Sequence, residues 1–538
     1  MLSEAQRKRG LAAGAASLLA VALFVLAPVT ALLATAPASS SQAALFDGYT
    51  ASLLRFTLLQ AGLSTVLSIL LAIPVTLALA RRPSFPLRVW IIRLMAVPMG
   101  LPVLIGALGL IGIFGRQGLF NRLLAFGGVE QPVSIYGLSG ILIAHVFFNL
   151  PLACRLMLAG LERLPAEYWR LSASLGMRPL SVFRFIEGPA LARVAPGAAG
   201  LVFMLCATSF TLVLVLGGGP AATTLEVAIY QSLRFDFNPT RAVALSLLQI
   251  GLTAVVLILI SRLPPAESAG VGEGRANRRF DGRSLPARLY DAGIIGVATL
   301  FLLLPLGSIV VAGLKADLLK LVTMPAFRQA GLTSLAIAFS AGLLSILVSL
   351  GIIAARAAIA DLRHPPHPLK AFSAALSGMS SLVLLVPPVV LGTGWFLLIR
   401  PYADVSRVAP VLVATVNMLM ALPFVMRVLA PAFETHAART GRLAASLGLS
   451  GFSRMRLVDW PVLARPLMMA LSFAMALSLG DLGAVALFGS QDLTTLPYLV
   501  YSRLGSYRTN DADGLALILG AICLALTALG TAGSRRQP

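Results

Sequence analysis

Charge is scarce in this sequence. Only 12% of its 538 residues are Asp, Glu, Lys or Arg, about half the share of a soluble domain, so the chain cannot clothe an ordinary water-facing surface. Acidic residues are scarcer still, 21 against 42 basic ones, which leaves a net charge of +21. There are four lysines (Lys8, Lys315, Lys320 and Lys370), and none follows a glycine. That excludes the Gly-Lys-Ser/Thr loop that cradles nucleotide phosphates. The three cysteines, Cys154, Cys206 and Cys523, lie in apolar segments without paired or metal-ligand spacing and read as small core hydrophobes. Of the four histidines only His364 and His367 are close together, around two prolines that make a plain turn. No metal site and no convergent catalytic set is therefore expected. On a soluble chain the basic excess would suggest nucleic acid. Here the basic residues fall in short tracts between long apolar runs, the pattern of cytoplasmic loops in a polytopic membrane protein.

What is abundant is apolar length, 58% of all residues. A bilayer-crossing helix needs about 20 apolar residues. Twelve spans are predicted, at about 11–34, 56–80, 90–114, 137–160, 196–216, 241–262, 290–312, 331–355, 372–399, 410–433, 467–489 and 514–532. The first exceeds the short apolar core of a signal peptide and reads as an uncleaved span. With the N-terminus inside and sides alternating, 30 of the 42 basic residues are cytoplasmic, which places both termini in the cytoplasm.

The chain is a tandem repeat at an offset of 272 residues. Leu150-Pro151, Arg155, Arg170-Leu171, Ala173-Ser174-Leu175-Gly176, Pro189 and Leu191-Ala192-Arg193 return as Leu422-Pro423, Arg427, Arg442-Leu443, Ala445-Ser446-Leu447-Gly448, Pro461 and Leu463-Ala464-Arg465. A second echo, shifted by one residue, pairs Thr223-Thr224-Leu225 and Tyr230 with Thr494-Thr495-Leu496 and Tyr501. Six spans per repeat make the copies parallel rather than inverted. The expected organisation is a first membrane domain over 1–262 with a loop at 162–193, a Pro/Gly/Arg-rich cytoplasmic linker over 263–289, and a second membrane domain over 290–538 with a loop at 434–465.

Each repeated loop reads as a helix–turn–helix on the cytoplasmic face. Leu164-Pro165 opens the first helix, Gly176 ends it where a positive φ is expected, and Gly188-Pro189 closes the second. Gly448 and Trp460-Pro461 repeat the logic. An amphipathic hairpin on anionic lipid is the plainer alternative, but lipid does not require the same glycine and proline spacing twice. These loops resemble the EAA loops of ATP-binding-cassette importer permeases: the family pattern sets a glycine 13 residues before a proline, as Gly176 and Pro189 are here, and Gly448 and Pro461. The Glu-Ala-Ala letters are replaced by Arg170-Leu171-Ser172 and Arg442-Leu443-Ala444. The resemblance implies an all-α MetI-like type I fold, no cofactor of the chain's own, and two copies of a partner ATPase that carry ATP and Mg. Those subunits would dock at Arg170, Leu171, Ala173, Gly176, Pro189, Arg442, Leu443, Ala445, Gly448 and Pro461.

Other stretches narrow the resemblance. Gly115-Arg116-Gln117-Gly118, Ala144 to Pro151, Gly217-Gly218-Gly219-Pro220, Gly480-Asp481-Leu482-Gly483 and Gly505-Ser506-Tyr507-Arg508 resemble permeases of bacterial thiamine/thiamine pyrophosphate importers, with fused ferric-iron permeases as near relatives. That implies a cytoplasmic (inner) membrane location and a periplasmic binding protein docked around Asp47, Arg234–Pro239 and Asp492–Asp513. Candidate residues for the translocation path or its gate are Asp481, flanked by Gly480 and Gly483, its repeat partner Ser209, and the corresponding pair His145 and Asn417. A carboxylate within a span faces a path or a partner, though Asp481 reads equally well as the cap of a helix break. His145 and Asn417 suggest helix–helix hydrogen bonding before chemistry. A secondary transporter with two six-span halves is the competing class, disfavoured by the paired loops and the shortage of buried carboxylates for ion coupling.

Overall fold

The computed structural model describes residues 4–35, 47–129, 131–262, 279, 281–282, 284–362, 364–449, 451–489 and 493–532, without the side chains of 380–385, 442, 445, 451–452 and 531–532. Every regular element among these residues is helical. In chain order the elements used below are α1 (Glu4–Ala34), α2 (Gly48–Arg81), α3 (Val103–Phe114), α4 (Leu138–Glu162), α5 (Ala166–Ser174), α6 (Gly188–Ala207), α7 (Leu225–Arg234), α8 (Pro239–Ser261), α9 (Leu285–Leu314), α10 (Pro325–Ala360), α11 (His367–Leu385), α12 (Pro388–Ile399), α13 (Val405–Ser446), α14 (Trp460–Gly480), α15 (Gly483–Phe488), α16 (Leu496–Gly505) and α17 (Thr509–Ala532).

Eleven helices among the described residues are long and apolar enough to cross a membrane, against twelve expected. The difference lies at 372–399, where the chain divides into α11 and the short α12. Val386 stands extended before Pro387-Pro388, because a residue preceding proline is pushed out of the helical region. Leu101-Pro102 breaks the expected span 90–114 in the same way just before α3. Two further expected spans also end early: α6 stops at Ala207 and α14 at Gly480, each followed by a short separate helix.

The chain forms two compact units that cut across the repeat: one holds Met1–Gln42, Ile229–Ile250 and Gly313–Pro538, the other Ala43–Ala228 and Gly251–Ala312. Each unit contains the leading helix of the other repeat, and small residues explain why. In the first unit Gly10 and Gly14 of α1 lie against Ala354 and Ala355 of α10, so that a Cβ on Gly14 would come within 2.2 Å of the Ala355 Cβ. This is the small-residue seam that lets membrane helices approach closely. Further along α1, the Pro28 carbonyl lies 2.6 Å from where a Cβ on Gly394 would sit. Trp395 stacks on Phe24 and donates to its carbonyl at 3.1 Å. The second unit repeats the device. The Pro305 carbonyl of α9 lies 2.6 Å from a Cβ built on Gly109 of α3, and Ser308 donates to the Gly109 carbonyl at 2.9 Å. At the end of α2 Arg82 donates to the buried Asp291 of α9 at 2.9 Å, with Arg81 3.3 Å away.

Candidate functional site: two repeated loops and the polar groups of the spans

In the second unit the loop 162–193 is built as its sequence suggests. Pro165 stands before α5, and Gly176 follows it at φ +57°, with the Met177 N–H bonded to the Ser172 carbonyl. A short turn from Pro179 then leads into Phe183–Glu187, wound wider than an α-helix, so that the Gly188 N–H reaches back to Phe183. Such wide turns arise where the regular ladder cannot continue, and Pro189 lacks the N–H that the ladder requires. Trp169, Val182 and Ile186 form a small core beneath the loop. Leu171 and Leu175, one turn apart, stand out in water.

In the first unit the loop 434–465 repeats the wide turn at the same register, Met455–Asp459, and the left-handed Gly448 at φ +66°. Leu443 and Leu447 are exposed, as their counterparts are. The first helix differs. It is not separate but the end of the 42-residue α13, because Ala437 stands where the first repeat has Pro165. Arg442 and Ala445 lie in this helix, and their side chains lie outside the described residues.

Sequence reasoning missed what braces each loop from below. Glu187 and Asp459 are repeat counterparts at the end of the wide turns. Glu187 is buried and paired with Arg279 at 2.7 Å. Arg279, from the inter-repeat linker, also forks onto both oxygens of Asp281 and lies 4.0 Å over the Trp169 ring. Burial alone would push the Asp281 carboxyl up, but the Arg279 guanidinium holds it below the usual carboxylate range. Asp459 is instead paired within its own repeat, to His436 Nε2 at 2.8 Å and Arg454 Nε at 3.5 Å. The charges were visible in the sequence, but their partners are set by folding.

The polar residues expected along the path fall into two groups, one in each unit. In the second unit His145 meets the Ser64 hydroxyl at 2.9 Å, Asn149 donates to the Cys206 sulfur, and Gln60 donates to the Cys206 carbonyl at 2.9 Å. Ser209 sits in the break after α6. In the first unit Asn417 donates to the Ser478 hydroxyl at 2.8 Å. Asp481, after Gly480, occupies the equivalent break, and its carboxylate accepts from the N–H groups of Gly483 and Ala484 at 3.1 and 3.3 Å. It thus caps α15, as short acidic side chains do at helix starts. Two repeat-related hydroxyls make one and the same bond: Thr57 accepts from the Leu225 N–H, and Ser334 from the Leu496 N–H. Next to the first of these, Glu226 is buried with both carboxylate oxygens unpartnered, and burial pushes its carboxyl up to about 8. A cavity of about 450 Å³ between α2, α4 and α9, walled by residues such as Leu71, Val75, Val146 and Phe301, offers no charged group to a polar solute.

The described residues thus form an all-helical chain with a matching glycine-turned loop in each of its two repeats. The family described as the inner membrane component of binding-protein-dependent transport systems matches residues 64–267. Along most of its length the chain is similar to the thiamine transport system permease protein ThiP of Brucella abortus strain 2308, 47% identical over 497 residues, 92% of this chain and 90% of the relative. ThiP of Escherichia coli K12 is 42% identical over 506 residues, 94% and 93% of the two chains. The molybdenum transport system permease protein ModB of Mycobacterium bovis is 29% identical over 205 residues, 38% of this chain and 76% of the relative. The chain belongs to the binding-protein-dependent transport permeases, in the fused form that carries both repeats in one polypeptide. It is a multi-pass membrane component of an importer and not an enzyme.

Proposed function

We propose that this chain is the permease of an ATP-driven importer that moves thiamine, its phosphates or both into the cytoplasm. The observation that carries the reading is the match to thiamine permeases through nine-tenths of both chains. Two ATPase subunits, which bind ATP and Mg, engage the loops 162–193 and 434–465 through the exposed pairs Leu171 with Leu175 and Leu443 with Leu447. The left-handed Gly176 and Gly448 turn the chain back beneath those pairs. Both termini and the linker 263–289 face the cytoplasm, and a soluble binding protein delivers substrate at the opposite face. Asp481, Ser209, His145 and Asn417 border the path, with Gly480 and Gly483 permitting the break beside Asp481.

The test is uptake of labelled thiamine in cells lacking the chain, with and without its restoration. Restored uptake that fails on ATP depletion and survives collapse of the proton gradient supports the reading. Survival of ATP depletion with loss on collapse of the gradient indicates a secondary transporter. No thiamine dependence, with iron uptake restored instead, assigns the chain to ferric iron.

A further inference from the structure

Among the described residues only two that are not glycine adopt a left-handed backbone, Phe237 at φ +50° and Tyr507 at φ +59°. They occupy matching places: each stands two residues before the last span of its repeat, Phe237 ahead of α8 and Tyr507 ahead of α17. Both end a preceding helix. The Asn238 N–H returns to the Ser232 carbonyl at 2.8 Å, and the Arg508 N–H to the Arg503 carbonyl at 3.0 Å. Helix ends of this kind favour glycine, and the chain uses glycine for the same task at Gly128, Gly176 and Gly448. An aromatic ring strains that backbone, and such strain persists where function requires the side chain.

The rings are not engaged in packing. Phe237 is 81% exposed and Tyr507 94%, whereas Phe235, two residues away, packs edge-on against Tyr230 at 5.7 Å. Asp236 and Asn238 flank one ring and Ser506 and Arg508 the other, all exposed. An aromatic side chain ringed by exposed polar groups is the composition of a protein–protein hot spot. An aromatic of the lipid interface has no need of a strained backbone among charges. Alternation of the spans puts both positions on the face opposite the cytoplasmic loops. The family to which the chain belongs takes its substrate from a binding protein.

We propose that Phe237 and Tyr507 are paired aromatic anchors on which the soluble, substrate-loaded binding protein seats, one supplied by each repeat. This rests on the importer reading above. Phe237→Gly and Tyr507→Gly test it cleanly, because glycine takes the left-handed conformation freely and removes only the ring. The full-length permease, in nanodiscs of phosphatidylethanolamine and phosphatidylglycerol, is titrated with the thiamine-loaded binding protein that supports its uptake. Each variant is expected to weaken binding about tenfold and the double variant about a hundredfold, with unchanged thermal unfolding. Phe237→Tyr and Tyr507→Phe should bind as the parent does. Parent-like affinity of the double glycine variant overturns the proposal. So does quenching of a Phe237→Trp variant by brominated lipid, which would place the ring in the membrane interface. A parent protein that binds no such partner sinks the importer reading itself.

Discussion

The two repeated loops share a left-handed glycine, a wide turn and an acidic brace, yet they are held differently. The first begins after a break at Pro165 and is tied down by Arg279 from the inter-repeat linker. The second continues α13 without interruption and is tied down by its own His436. The same pair of exposed leucines is thus presented on two different supports. One depends on a distant segment of chain from the inter-repeat linker, the other on a side chain of its own repeat.

The largest effects should come from breaking what the loops share. Gly176→Val and Gly448→Val meet no steric neighbour but force a β-branched residue to a positive φ. Each should cut thiamine uptake at least tenfold while membrane insertion is retained, as measured by transport beside a membrane-fraction blot. The supports should then separate. Arg279→Ala leaves Glu187 buried without its cation and should cost about 3 kcal/mol in thermal unfolding. His436→Ala should cost about 1 kcal/mol, because the half-exposed Asp459 keeps Arg454. Adding Glu187→Gln to Arg279→Ala should recover most of the larger loss.

Asp481→Asn sharpens the comparison of the two breaks. Asparagine caps a helix start about as well as aspartate, so thermal stability should hold. A fall in uptake would then report the charge itself, and parent-like uptake would leave Asp481 as the cap of α15. A separate contrast concerns pH. Because the folded pKa of Glu226 lies near 8, above its ordinary value of 4.5, the folded state binds the extra proton. Its contribution to stability is complete below about pH 4.5 and is lost as pH rises through 8. Glu226→Gln should flatten that slope in melting curves taken between pH 5 and 9.

Much of this was legible from residues alone. The apolar runs marked the spans, since lipid demands about 20 apolar residues per crossing. The 272-residue offset marked the loops, and glycine and proline marked their turns. The expected span at 372–399 is divided in two, because the hydropathy of the stretch does not register the break at Pro387-Pro388. Arg279 reads in the sequence as one more linker cation, and Phe237 as part of an outer loop, because periodicity carries no information about a partner far along the chain such as Glu187 or about the sign of φ at a non-glycine residue.

The sequence by itself determined the helical class, the duplication and the loop positions, because each depends on local composition, spacing and turn chemistry. Only the tertiary structure decided that α1 packs on α10 and α9 on α3, that Glu187 and Asp459 take different partners, and that two aromatics end helices where glycine would serve. Those outcomes depend on which small residues admit a close helix neighbour and on which charges folding brings within reach, and neither is written in any single stretch of chain.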